Sequence, residues 1–150
     1  MSTENNFDAV IIGAGFAGMY ALHKIRGLGF KVKAYERASD VGGTWFWNRY
    51  PGARCDVNSL EYSYQFSDEL QQEWSWSERY SSQPEILSYA KHVSERFDLR
   101  KDIQFETKVT QLEYDENSDV WHGQTNRGEE FTSRIMIMAT GCLSKSNTPQ

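Results

Sequence analysis

An α/β fold is predicted by this sequence: a parallel sheet that begins with a glycine-rich βαβ unit and is joined by a small antiparallel β-meander. Three observations predict it. A short apolar run, Ala9-Val10-Ile11-Ile12, leads at once into Gly13-Ala14-Gly15-Phe16-Ala17-Gly18. An alternating run, Lys31-Val32-Lys33-Ala34-Tyr35, then closes on Glu36. Far downstream, Arg134-Ile135-Met136-Ile137-Met138-Ala139 is a second apolar run, preceded by short strand-like runs and turn signals.

Taken in order, Ala9 to Ile12 has the continuous apolar character of a strand buried on both faces. Met19 to Arg26 reads as a helix, with Ala17, Tyr20 or Ala21, and Ile25 at helical spacing. Lys24 and Arg26 suit its last turn, and Gly27 and Gly29 end it. Strand, glycine turn, helix and strand then form a βαβ unit with a right-handed crossover. From Ala38 to Tyr80 periodicity is lost, yet ten of the chain's 21 aromatics fall between Trp45 and Tyr80. Such a cluster must pack against something large, either the core or a ligand. Ser82 to Phe97 is helical again: Ser82 suits the cap, Pro84 and Glu85 the first turn, and Ile86, Leu87, Ala90, Val93 and Phe97 form the stripe. Ile103–Phe105, Val109–Tyr114, Val120–Thr125 and Glu130–Ser133 read as strands, the later ones separated by Asp115-Glu116-Asn117 and Asn126-Arg127-Gly128. Arg134 to Ala139 reads as a second buried parallel strand. The tail, Ser144 to Gln150, looks like a linker.

Composition bounds the function. A chain of 150 residues is about one domain, and one of this size buries roughly 68–70% of its unfolded surface. Its 39% hydrophobic and 25% charged content excludes a disordered or collagen-like chain. With 16 Lys and Arg against 21 Asp and Glu, the net charge is −5, which argues against a nucleic-acid binder. Cys55 and Cys142 lack metal spacing and suggest a reducing compartment, the cytoplasm. The start of the chain is polar and acidic, unlike a signal peptide, and no apolar run approaches the about 20 residues of a membrane span.

The glycine pattern Gly13-x-Gly15-x-x-Gly18 is weak alone but stands here between a strand and a helix, with an acidic residue closing the next strand. Gly13 permits the tight turn, Gly15 lets backbone approach a pyrophosphate, and Gly18 lets helix and strand pack closely. Glu36, 21 residues beyond Gly15, is placed to accept from ribose hydroxyls. Both FAD and NAD fit such a fingerprint. Val41-Gly42-Gly43-Thr44-Trp45 favours FAD, because two more glycines allow a long ligand to pass. Trp45, Trp47 and Tyr50 are expected to wall its isoalloxazine ring.

Gly42-Gly43-x-Trp45, followed by Tyr50-Pro51-Gly52 and Asp56, resembles a motif of the class B flavoprotein monooxygenases, most nearly the Baeyer–Villiger branch of the cyclohexanone and phenylacetone monooxygenase type. The likeness runs from about Asp8 to the end of the chain and includes Ala139-Thr140-Gly141, a strand end that those proteins place against FAD. It implies a Rossmann-like FAD-binding domain of an enzyme dependent on FAD, NADPH and O₂. That enzyme inserts one oxygen beside a ketone carbonyl to give an ester or lactone. By motif, Gly13, Gly15, Phe16 and Gly18 hold the FAD phosphates, Glu36 takes the adenosine ribose, and Arg37 is a further cofactor contact. Gly43, Thr44 and Trp45 line the flavin side, while Tyr62 and Val109 match positions that also touch FAD. Arg54 and Asp56 match the place where NADP meets the flavin. Asp56 is the catalytic candidate, because its family counterpart pairs with an arginine that steadies a reactive anion.

The resemblance also implies what 150 residues leave out: a second glycine fingerprint for NADPH, the later arginine and a substrate-lining domain. Residues 1–150 therefore read as the N-terminal FAD-binding portion of a longer monooxygenase, inactive alone, whose partners are a ketone, O₂ and the rest of its own polypeptide. The alternatives are a flavin monooxygenase oxidising amines or sulfides, and a non-catalytic dinucleotide-binding module. His23, His92 and His122 have no spacing for a shared metal, and Cys55 has no partner that would make it a nucleophile.

Overall fold

The computed structural model describes residues 5–143 and Thr148, so the linker-like tail lies outside it apart from Thr148. Six strands form one sheet in the order β3-β2-β1-β6-β5-β4. β1 (Asn6–Ile12) is central, with Ala9, Val10 and Ile11 fully buried, which accounts for its unbroken apolar run. β2 (Val32–Tyr35) and β6 (Glu130–Met138) flank it in parallel, and β3 (Ile103–Gln104) extends the parallel half beyond β2. β4 (Val109–Asp115) and β5 (Val120–Thr125) complete the antiparallel half through β6.

The sheet is thus mixed, and the meander is not a separate layer. Two strands expected at Glu130–Ser133 and Arg134–Ala139 are one. Residues 130–133 pair with β5, while 132–138 pair with β1. The apparent boundary in the sequence is a change of partner. At that point the Ser133 hydroxyl donates to the Ile135 carbonyl. The second half of β6 is also less buried than expected, with Ile135 46% and Met138 60% exposed. Helix α1 (Phe16–Gly27) packs over β1 and β2 and leaves that part of β6 open.

Helix α4 (Gln83–Arg96) buries Ile86, Ala90 and Val93 as its spacing predicts, together with Tyr89. Ser82 occupies its N-cap without a side-chain hydrogen bond. Glu85 accepts from the Ser77 amide and hydroxyl instead, fastening the incoming loop to the helix. Between them lie α2 (Thr44–Trp47), a 3₁₀ turn at Ser59–Tyr62, and α3 (Asp68–Glu73), whose N-cap Ser67 accepts from Leu70 N.

The main core lies between the sheet and the helices and includes Ile11, Met19, Leu22, Ala34, Val41, Ala90 and Leu99. On the opposite face Val10, Tyr35 and Phe131 form a second cluster against Val109 and Leu112 of β4. The irregular aromatic segment packs on α1 and α4: Phe16 stacks with Tyr64 and Tyr89, Phe66 with His23, and Trp74 and Trp76 meet Tyr89. Much of the aromatic cluster is therefore core. No helix among the described residues is long and apolar enough to cross a membrane.

Close approach of α1 to the turn before it depends on Gly18, where a Cβ would stand 1.9 Å from the Gly13 carbonyl oxygen. Gly18→Ala is expected to destabilise the fold by about 1–3 kcal/mol, as overpacking against backbone does. A urea midpoint equal to that of the parent would contradict this packing.

Candidate functional site

A cleft of about 620 Å³ opens at the carboxyl ends of β1, β2 and β6. Its walls are the glycine turn 13–17, Tyr35 to Arg37, Gly42 to Trp45, Thr107 to Val109 and the chain after β6 at 138–141. A wider hollow of about 770 Å³ lies over the meander and is lined largely by polar side chains such as Gln111, Glu113 and Glu130. The former holds most of the sequence-predicted residues, and the latter holds none of them. Among the described residues no group of three or more His, Cys, Asp or Glu is placed to hold a metal ion.

Glu36 organises this end of the sheet. It is 5% exposed, and its carboxylate accepts from Ala14 N and Ala38 N, both at 2.7 Å. Its own amide donates to the Gln104 carbonyl and its carbonyl accepts from Thr107 N. The expected ribose acceptor is thus also a structural clamp. Each carboxylate oxygen retains acceptor capacity beyond the one amide it holds. Gly13 N donates to Tyr35 O, and Gly42 N to Ala14 O, so the two glycine loops hang on the same strand ends. Gly43 lies at φ +55°, where a Cβ would approach Gly15 Cα to 2.9 Å. Helix α1 begins at Gly15 with no side-chain cap and no acidic residue in its first turn. Its first N–H groups and positive dipole end face the cleft, an arrangement suited to a phosphate.

The aromatic side is built from α2. Trp45 is 8% exposed and packs edge-on to Tyr62, which in turn packs edge-on to Phe16. The Gln83 side-chain amide donates to the Trp45 carbonyl at 2.5 Å and ties α2 to α4. Arg37 lies over the Trp47 ring at 4.6 Å. Burial raises the Tyr62 phenol above its ordinary range, aided by the charges of Cys55 and Asp56 and opposed by a side-chain hydrogen bond with Trp45. Tyr35 is pushed up to about 12 by burial and by Glu129. Both phenols are therefore neutral near pH 7.

Of the residues singled out from the sequence, Gly13, Gly15, Phe16, Glu36, Arg37, Gly43, Thr44, Trp45, Tyr62 and Val109 line the cleft. Gly18 sits beneath the turn as a packing residue. Arg54 lies outside the lining: its guanidinium donates to Glu78 and to the Tyr80 carbonyl on a ribbon where residue 54 pairs with Ser82. Asp56 is exposed and outside the lining, although its charge reaches Tyr62. Tyr50, expected with Trp45 and Trp47 around a ring, is 64% exposed and away from the cleft. The chain turns outward after α2 through Pro51-Gly52, with Gly52 at φ +80°.

Sequence reasoning missed Thr107 and Lys108, which carry no local signal. They reach the cleft because Lys108 and Asn126 exchange two hydrogen bonds across the mouth of the meander. The histidines lie elsewhere. His23 stacks on Phe66, and burial, then Lys24 and Arg26, lower its pKa. His92 approaches Glu73 at 3.5 Å, and His122 is exposed on β5. Cys55 is buried against Trp45 and Ile86, and Cys142 is exposed.

Fold and cleft together define a Rossmann-type dinucleotide-binding unit. A family model described as an NAD(P)-binding Rossmann-like domain matches residues 11–70. The chain is 49% identical over 148 residues to a phenazine N-monooxygenase of Lysobacter antibioticus, covering 98% of this chain and 27% of the relative. It is 47% identical over 157 residues to a Baeyer–Villiger monooxygenase of Pseudooceanicola batsensis, covering 100% and 29%. Among solved structures, oxidised steroid monooxygenase bound to NADP superimposes with a TM-score of 0.93 at 56% identity, over 97% of this chain and 28% of that one. The complex of OTEMO with FAD and NADP gives 0.90 at 45% identity, over 95% and 27%. Along nearly its whole length the chain is thus similar to monooxygenases of the Baeyer–Villiger type. It spans somewhat more than a quarter of the length of these relatives.

The loop carrying Gly42 and Gly43 is anchored by Asp40, which accepts from Arg100 at 2.6 Å, Lys91 at 2.9 Å and Val41 N at 2.8 Å. Burial pushes this carboxyl up, but those hydrogen bonds outweigh it and hold its pKa below the usual carboxylate range. A depressed folded-state pKa contributes stability above the unfolded value, and that stability is lost as pH falls through the folded value. Asp40→Asn is therefore expected to lower the urea midpoint at pH 7 and to flatten its decline below about pH 4. Parallel pH profiles for the two proteins would refute the anchor.

Proposed function

We propose that the protein carrying this chain is an FAD- and NADPH-dependent Baeyer–Villiger monooxygenase, and that residues 1–150 supply its FAD-binding part. The observation that carries the reading is one cleft uniting the uncapped start of α1, Glu36 and the Gly42 to Trp45 loop. The reaction balances as ketone, O₂, NADPH and a proton giving ester or lactone, NADP⁺ and water. FAD bound in the cleft would supply the electron transfer from NADPH to O₂.

The residues present fit that group. Gly13 and Gly15 leave room for a pyrophosphate, and the first N–H groups of α1 would donate to it. Glu36 has acceptor capacity for ribose hydroxyls, with Arg37 beside it. Gly43, Thr44, Trp45 and Tyr62 make the opposite end apolar and exclude water from it, and Val109 closes the side wall. The fingerprint itself serves FAD and NAD alike, since both carry an adenosine and a pyrophosphate. The paired glycines and the Trp45 wall support FAD, because they extend the cleft past the pyrophosphate. Asp56 is exposed beside Tyr62, where its carboxylate is available to orient a cation brought by the rest of the polypeptide. Arg54 adjoins it, and both suit the place where a nicotinamide dinucleotide would meet the flavin. The free cysteines support a cytoplasmic protein.

A second reading, oxidation of a nitrogen or sulfur centre, is favoured by the likeness to a phenazine N-monooxygenase. Product analysis separates the two. The full-length protein is expected to consume NADPH on addition of cyclic or aryl ketones and to yield esters or lactones. N-oxides or S-oxides without ester would establish the second reading, and a protein that retains no FAD in native mass spectrometry would sink both.

Loss of Glu36 tests the site separately. Glu36→Ala removes a charged acceptor from two amides, and FAD affinity is expected to fall at least about tenfold while stability falls by about 2–4 kcal/mol. Unchanged affinity in a fluorescence titration would exclude Glu36 from the site.

A further inference from the structure

The irregular segment between α2 and α4 contains a half-buried tyrosine, Tyr64, that the proposed binding site does not use. Tyr64 donates its hydroxyl proton to the Phe16 carbonyl at 2.5 Å, and its backbone N–H donates to Tyr89 Oη at 2.8 Å. Tyr89 is buried in α4. The Tyr64 ring stacks on Phe16 with centroids 5.5 Å apart, and Phe16 in turn faces Tyr89 at 6.2 Å. A connected relay thus runs from α4 through Tyr89 and Tyr64 to the first residue of α1.

The geometry points to Tyr64 as a positioning residue for the dinucleotide phosphates, acting through the Phe16–Ala17 peptide. This inference rests on the FAD reading above and deepens it. The Phe16 carbonyl belongs to the same peptide unit as the Ala17 N–H, and Ala17 lines the cleft. In the first turn of α1 that N–H has no intrahelical acceptor. When the carbonyl end of a peptide accepts a hydrogen bond, the unit polarises and its N–H becomes a stronger donor. The phenol also fixes the plane of that peptide, and so the direction in which the N–H points. Burial pushes the Tyr64 pKa far up, so the proton it donates is present at every working pH. Gly15 at the N-cap makes no side-chain cap hydrogen bond that would set this peptide instead.

The test uses the full-length protein and three variants. Tyr64→Phe keeps the ring and removes only the donor, and Tyr89→Phe removes the acceptor of Tyr64 N. Tyr114→Phe is the control, since it removes a phenol hydrogen bond to Asp119 on the remote meander. In the FAD-free protein, the Ala17 amide proton is expected to move upfield in Tyr64→Phe, and less far in the same direction in Tyr89→Phe, with no change in Tyr114→Phe. In fluorescence titration the FAD dissociation constant of Tyr64→Phe is expected to rise about fivefold, that of the control staying within about twofold of the parent. If Tyr64→Phe does not fold, Tyr89→Phe carries the same two readouts. An Ala17 resonance and a dissociation constant equal to the parent's overturn the role of Tyr64 while leaving the FAD reading intact. A parent that binds no FAD overturns both.

Discussion

The buried Glu36 carboxylate is the constraint on which the functional end of this fold depends. Two amides from two different loops, Ala14 N and Ala38 N, converge on its two oxygens at 2.7 Å. Charge-assisted hydrogen bonds of this kind are roughly twice as strong as neutral ones, and they matter more where water is excluded. They fix the glycine turn after β1 to the end of β2, and Gly42 N then fixes the second glycine loop to Ala14. One carboxylate thereby sets the spacing of the walls. A neutral side chain of similar size would fill the space without drawing both loops inward.

That clamp explains how a glycine-rich and therefore flexible stretch is held in one shape. Glycine at Gly13 and Gly43 permits backbone approaches that no Cβ allows, but it also adds conformational freedom to the unfolded chain. The structure offsets this by surrounding the turn with fixed partners: Glu36 on one side, Tyr35 O beneath it, and the Tyr64 hydroxyl on the Phe16 carbonyl. Asp40 does the same for the second loop by drawing in Lys91 of α4 and Arg100. The first amides of α1 have no intrahelical acceptor and no side-chain cap, while the backbone around them is held by these bonds. Preorganised donors bind an anion with little further ordering.

Much of this was legible in the sequence because the signals were local and periodic. The apolar run at Ala9 to Ile12, the glycine spacing and the acidic residue closing β2 each imply their structure through backbone sterics or burial. The path of the chain from Ala38 to Tyr80 was not legible, since its order comes from ring packing on α1 and α4 rather than from a repeat. Tyr50 illustrates the failure. Its aromatic type and its distance from Trp45 in the sequence suggested the cleft, but a turn with Gly52 at positive φ carries it to the surface. Strand β6 illustrates another. A strand that changes partner midway leaves the same trace in sequence as two strands. Thr107 and Lys108 gave no sign because their place at the cleft is set by hydrogen bonds to residues distant in sequence, Thr107 N to Glu36 O and Lys108 to Asn126.

The distribution of charge and apolar surface separates binding from chemistry within this chain. Everything needed to grip an anionic dinucleotide converges at the strand ends: uncapped amides, a buried acceptor and an apolar wall. The residues proposed for chemistry, Arg54 and Asp56, are exposed outside the cleft lining, Arg54 on a ribbon where it pairs with Ser82. Arg54 is already paired with Glu78, whereas the Asp56 carboxylate is exposed close enough to act on Tyr62. An outward carboxylate next to a cofactor wall does little by itself, because water screens it. Covered by a second body that carries a cation, the same carboxylate would lie in a medium of lower dielectric, where its hold on that cation strengthens severalfold. On the proposed reading, this domain would fix the cofactor, and the charges of Asp56 and Arg54 would become effective only when such a body covers them.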